Sequence, residues 1–284
     1  MPTDWNFDPL AILVLALLLG GYLALIGPLG RRLGEPELPR PRIVAFVAGW
    51  ALLALTVISP LDTLARHYLL TARALQVLLI TTAVAPLLMA GIPEWVVWRA
   101  LPVRALRDAT RSLLFPLIVV VLFNGLVLVW HIPPLLNASL TNAALHDLSN
   151  LSFLLAGLLT WWPLLTPLDR DTRLAAPFQI FYLAAESLPL DIFGIFLMFK
   201  SGLVYTIYAS APRLFGISPI VDQQIAGGLL VIPGNFVDLV FMSVAFFGWI
   251  NRIEQLQRER EQAEEDRRVA EASLSQTATD GDSA

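Results

Sequence analysis

The sequence predicts an all-α polytopic membrane protein, a bundle of seven transmembrane helices with the N-terminus outside and the C-terminus in the cytoplasm. Three observations predict it. The 284 residues are 56% hydrophobic and only 15% charged, with a mean hydropathy of +0.67, whereas soluble domains run at about 45–50% apolar and about 25% charged. Seven apolar runs, near 10–29, 43–59, 69–90, 113–130, 147–166, 177–199 and 226–250, approach the roughly 20 residues that a spanning helix needs. Finally, Lys and Arg alternate from one connecting loop to the next.

Residues 1–9 carry Asp4 and Asp8 and no base, so the first run is a span and not a signal peptide, which would need a positive leader. Arg31, Arg32, Arg40 and Arg42 follow it. Span two leads into Ser59-Pro60-Leu61-Asp62 and His67, and span three is followed by Arg99, Arg104, Arg107 and Arg111. Span four ends at Trp130-His131 before Pro133-Pro134, and span five starts beside His146. Arg170 and Arg173 precede span six, and Asp222-Gln223-Gln224 precedes span seven. Arg252, Arg258, Arg260, Arg267 and Arg268 close the chain, making fifteen bases on one side against Arg66, Lys200 and Arg213 on the other. The basic side is cytoplasmic by the positive-inside rule. Trp5 and Trp130 then fall at the outer boundary, Trp95, Trp98, Trp161, Trp162 and Trp249 near the inner one, and Trp50 lies inside a span. Residues 1–250 form the transmembrane domain and 251–284 a charged cytoplasmic tail, helical over Asn251–Ala272 and unstructured over Ser273–Ala284.

Zero cysteines exclude disulfides, thiolate metal sites and thiol nucleophiles. No phosphate-binding glycine loop or nucleophile elbow occurs, and the net charge of −4 comes from the tail, which argues against nucleic acid as a partner. No nucleophile–base constellation is visible, so the chain reads as a non-enzyme. All three histidines fall on the outer side. A tight Pro-Pro hairpin between His131 and His146 would bring two imidazoles together as the start of a copper or zinc site, which needs a third donor; the other reading is that both rings cap helix ends. Asp222 reads as the N-cap of span seven, with Gln223 reaching into an outer cluster of Asp62, Trp130, Tyr205 and Tyr208. Asp62 itself reads as a turn or cap residue.

Ionisable residues inside spans are expensive and face a partner or a cavity. Here they are Arg73, Glu186, Asp191 and Asp238, with Gln76 beside them. Matching depths across antiparallel spans pairs Arg73 with Asp191, or with Glu186 as the competing partner.

In order along the chain, Ser59-Pro60-Leu61-Asp62, Gln76, Ala85-Pro86-Leu87-Leu88, Gly91-Ile92-Pro93, Trp130-His131-Ile132-Pro133, His146, Tyr205, Tyr208, Ser218-Pro219, Asp222-Gln223-Gln224 and Ile232-Pro233-Gly234 resemble the multi-span CtaG-like family of cytochrome c oxidase assembly factors associated with caa-type oxidases. The resemblance covers about residues 43–250. It implies a seven-span protein of the bacterial inner membrane that helps a haem–copper oxidase mature, handling copper or binding oxidase subunits or copper-delivery proteins at its outer face, with His131 and His146 as metal ligands. The family carries His-Met-x-Gln-His at the start of span three, where this chain has Arg73-Ala74-Leu75-Gln76-Val77; an arginine there cannot ligate a cation. Two other classes stand beside the assembly reading. One is a metal-free paralogue binding an anion or small ligand; the other is a transporter built on Arg73, Asp191 and Glu186.

Overall fold

A computed structural model describes residues 1–100, 114–165 and 174–281. The described residues form helices and no strands: a 3-10 turn at Thr206–Ala209 and ten longer helices, α1 (Pro9–Arg32), α2 (Arg40–Ile58), α3 (Pro60–His67), α4 (Leu70–Gly91), α5 (Glu94–Ala100), α6 (Leu114–Trp130), α7 (Pro133–Thr141), α8 (Ala143–Leu165), α9 (Ala176–Phe199) and α10 (Pro219–Gly281). Six are long and apolar enough to cross a membrane. A seventh crossing is made if α6 and α7, bent by 68° across the break at His131–Ile132, count as one broken span. Arg104, Arg107, Arg111, Arg170 and Arg173, on which much of the predicted orientation rests, lie outside the described residues.

Local sequence sets the helix boundaries. Ser59 Oγ accepts from the amide of Leu61 at 3.2 Å and Pro60 opens α3, which ends α2 and turns the chain back. Within α4 the stretch Leu79–Val84 is wound as a π-helix before Pro86, because a proline nitrogen cannot bond to the preceding turn. The helix α10 runs unbroken through Pro233 and on through Ser273–Gly281, where composition predicts no fixed structure.

The helix α4 is central. It packs against α2, α3, α8 and α10, while α9 packs against α10 and α6, and α1 rests mainly on α2, with Tyr22 donating to the Gly91 carbonyl of α4 at 3.1 Å. Accordingly, 56% of the apolar windows of α4 and α8 is buried, against 17% of that of α1. A close seam joins α9 and α10, where Gly194 and Gly227 face each other. A Cβ on Gly227 would stand 2.5 Å from the Gly194 carbonyl oxygen, so only glycine allows this approach. Two tryptophans depart from the predicted boundary belts. Trp161 is buried and donates Nε1–H to the Thr81 carbonyl at 2.8 Å, where the π-wound stretch exposes an acceptor. Trp130 is buried in the core of α2, α4 and α8. Trp50 stays inside its span by donating to the Leu15 carbonyl at 2.9 Å.

Candidate functional site

One end of the bundle gathers His67, His131, His146, the N-terminus and the start of α10; it is called the histidine end below. At its centre lies Asp62, 1% exposed. Because Ser59 caps α3, the Asp62 carboxylate is released from that task, which corrects its reading as a turn or cap residue. Its Oδ1 accepts from Gln76 Nε2 at 2.8 Å and from His146 Nε2 at 2.7 Å, and its Oδ2 accepts from Asn6 Nδ2 at 2.7 Å. An ionised carboxylate only accepts, so the pairing assigns the His146 proton to Nε2. Burial alone would raise the Asp62 pKa, but the bonds from His146, Gln76 and Asn6 outweigh it and hold the carboxyl below the usual range.

The network continues through Gln76. Its Oε1 accepts from Arg73 Nη1 at 2.5 Å, and its Nε2 also reaches the Thr56 carbonyl at 3.1 Å. Arg73 is 1% exposed. Its Nη1 donates to Asn150 Oδ1 and its Nη2 to Ser149 Oγ, both at 2.7 Å, with the guanidinium 5.3 Å from the Phe153 ring centroid. Arg73 therefore forms no ion pair with Asp191 or Glu186, contrary to the depth argument. Equal depth does not fix the face of a helix: Arg73 points toward α8, while Asp191 Oδ1 accepts from Asn235 Nδ2 at 2.9 Å across the α9–α10 seam.

His131 and His146 do not share a role. The His131 ring is buried, its Nδ1 is 2.7 Å from the Val127 carbonyl, and its edge meets Phe193 at 5.2 Å between centroids. His146 is held by Asp62, and its Nδ1 is buried without a partner. His67 is exposed, and burial of part of its ring with Arg66 beside it lowers its pKa.

The remaining predicted residues form the frame. Asp222 caps α4, not its own helix: Oδ2 accepts from the Leu70 amide at 2.7 Å and Oδ1 from the Thr71 amide at 3.0 Å. Ser218 Oγ, 3.4 Å from the Val221 amide, serves α10 instead. Gln223 Oε1 accepts from the Val204 amide at 2.7 Å and its Nε2 donates to the Gly202 carbonyl at 3.2 Å. Tyr205 donates to the His131 carbonyl and Tyr208 to the Ala65 carbonyl, each at 2.6 Å. Gln223, Tyr205 and Tyr208 thereby fasten the segment after α9 across the histidine end.

Sequence reasoning did not single out Asn6, Ser149 and Asn150. A signal existed for two of them, since His146, Ser149 and Asn150 are spaced i, i+3, i+4 and share one helix face. Asn6 precedes the first span and carried none.

The donor set does not fit a copper ion. Among the described residues no three His, Cys, Asp or Glu side chains converge as metal ligands. The Arg73 guanidinium, which cannot lose its charge, joins the same network as His146 through Gln76 and Asp62, and the Asp62 carboxylate is spent on three donors.

In comparisons with known proteins, a family model described as cytochrome c oxidase caa3 assembly factor (Caa3_CtaG) matches residues 20–252. No curated protein and no solved structure matches.

Proposed function

The chain belongs to the cytochrome c oxidase caa3 assembly factor family, and from that premise we propose that it promotes oxidase maturation by binding an oxidase subunit, not by carrying copper. In this reading it acts without catalysis in the bacterial inner membrane, with the histidine end outside.

One observation carries the choice. A groove of ≈ 350 Å³ opens between α1, α2 and α8, walled by Leu10, Val14, Leu53, Val57, Leu151 and Leu154, with Asp147 among the lining residues. The Asp147 Oδ2 atom is buried and has no partner. A lipid tail matches the apolar wall but offers no donor to that oxygen. A subunit helix bearing a hydroxyl, an amide or a base supplies both. Light packing of α1 leaves room for such a helix to seat.

The test is complementation of a deletion strain. Leu151→Trp, which fills the groove, is expected to reach normal membrane levels yet fail to restore oxidase activity, and a photo-crosslinker at exposed Leu148 is expected to capture an oxidase subunit. Full activity with Leu151→Trp, together with stoichiometric copper on the purified protein that His131→Ala and His146→Ala remove, would replace this reading by copper carriage. A deletion that leaves oxidase activity unchanged would remove the assembly role for this chain.

A further inference from the structure

The long helices α4, α6, α8, α9 and α10 close a ring: α9 contacts α10 and α6, α10 contacts α4, and α8 contacts α4 and α6. Within the ring is a cavity of ≈ 40 Å³ lined by Glu186 and Asp191 of α9, Asp238 of α10, and Thr160, Thr81 and Thr82. That volume holds a few water molecules. Glu186 and Asp238 are 7% and 8% exposed.

The groups facing these carboxyls can be named helix by helix. From α9, Tyr182 is turned away, donating to the Thr160 carbonyl at 2.6 Å. From α6, Asn124 donates to the Glu186 carbonyl at 2.9 Å, leaving the carboxyl itself free. From α4, Thr81 and Thr82 spend their hydroxyls on the carbonyls of Val77 and Leu78. From α10, Asn235 bonds Asp191. No Lys, Arg or His is among the lining residues, and Arg73 is engaged at the histidine end. A second observation is independent of the acids. Thr160 of α8 is 4% exposed and lines the cavity, yet its Oγ1 has no partner. Buried hydroxyls are bonded to protein or to water, so this one points to an occupant.

Three carboxylates without a counter-charge cannot all remain ionised at membrane depth. The cation that compensates them is a metal ion or a proton, and among the described residues no three acidic or histidine side chains converge as metal ligands. We propose that the Glu186–Asp191–Asp238 cavity is an intramembrane proton-binding site, in which the carboxyl groups share protons through water molecules that also satisfy Thr160. Each binding event transfers one proton from hydronium in the solvent to a carboxylate oxygen, breaking one O–H bond of hydronium, forming one on the carboxyl, releasing water and cancelling one negative charge; nothing is oxidised or reduced. The groups titrate as a unit, so proton release comes in steps that belong to the cluster. The inference does not depend on the oxidase reading, because it shares no residue with the groove or the Asp62 network.

Infrared spectroscopy of the full chain in lipid nanodiscs tests it. At pH 7 the wild type is expected to show the carbonyl stretch of protonated carboxylic acid, shifted in D₂O and fading as pH rises. Glu186→Gln with Asp238→Asn is expected to lose at least half of that band. Wild-type titration needs no variant to fold, and circular dichroism verifies the helicity of the variants. Absence of the band at pH 7 in folded wild type overturns the proposal, as does an undiminished band in a folded triple variant that adds Asp191→Asn. So does thermal stabilisation of the wild type, but not of the triple variant, by NaCl, KCl or CaCl₂, which would identify a metal ion as the occupant.

Discussion

Replacing Asp222 by alanine removes the carboxylate that opens α4 from a position 152 residues away in the chain. The preceding residue, Leu69, provides no side-chain cap, so both the Leu70 and Thr71 amides depend on Asp222. Loss of a cap costs about 0.5–2 kcal/mol, and a buried amide left without an acceptor costs about 1–3 kcal/mol. The Leu70 bond is buried whereas the Thr71 bond is partly accessible, so water replaces the second acceptor more readily than the first. The backbone acceptor for the Thr71 hydroxyl survives the substitution. The sum is about 2–4 kcal/mol, or roughly 5–15 °C in Tm at the sensitivity of domains of this order of size. Asp222→Asn keeps one acceptor oxygen and is expected to lose about half as much. Thermal unfolding of the full chain in detergent, followed by helical circular dichroism, measures both. A Tm for Asp222→Ala within about 2 °C of the wild type would refute the claim that this residue holds the start of α4.

Two further outcomes follow from the geometry. The Asp62 carboxyl is held below its ordinary value, so its contribution to stability is complete above the unfolded value of about 3.9 and is lost as pH falls through the lower folded value; Tm measured from pH 7 to pH 3 should fall more steeply at the acid end for the wild type than for Asp62→Asn, and parallel curves would contradict the network. On α10, Gly227→Ala drives a methyl into the Gly194 carbonyl, while a Cβ at neighbouring Gly228 meets nothing within 4 Å. Gly227→Ala should therefore cost about 1–3 kcal/mol from overpacking, with Gly228→Ala neutral or slightly stabilising by Tm; equal effects would show that α9 and α10 do not meet there.

The spans were legible because the hydrocarbon core imposes a length that composition alone satisfies, and runs of about 20 apolar residues have few other uses. The identity of the polar residues was equally legible: Asp62, Arg73, Gln76, His146 and Asp222 stood out against an apolar background. Their partners were not. Depth matches Arg73 to Asp191, but a helix offers a full circle of directions at each depth, and Arg73 takes the one facing Ser149 and Asn150. Asp222 has the sequence signature of a cap and is one, although for a helix that starts far away in the chain, since local spacing cannot reveal which amides end up nearby. The partners of His131 and His146 were hidden for a related reason. A short hairpin brings two helix ends together, yet each ring turns according to its own neighbours, a carbonyl for one and a carboxylate for the other.

The last helix has a mechanical corollary. At 1.5 Å per residue, the stretch from Pro233 to Gly281 measures roughly 70 Å, far more than the bilayer requires. A proline fulcrum within the lipid and a stiff charged boom beyond it make a lever: a tilt of about 10° at Pro233 sweeps the far tip through roughly 12 Å. Whatever nudges α10 against Gly194 is thereby magnified into a displacement that a spin label near the tip can read.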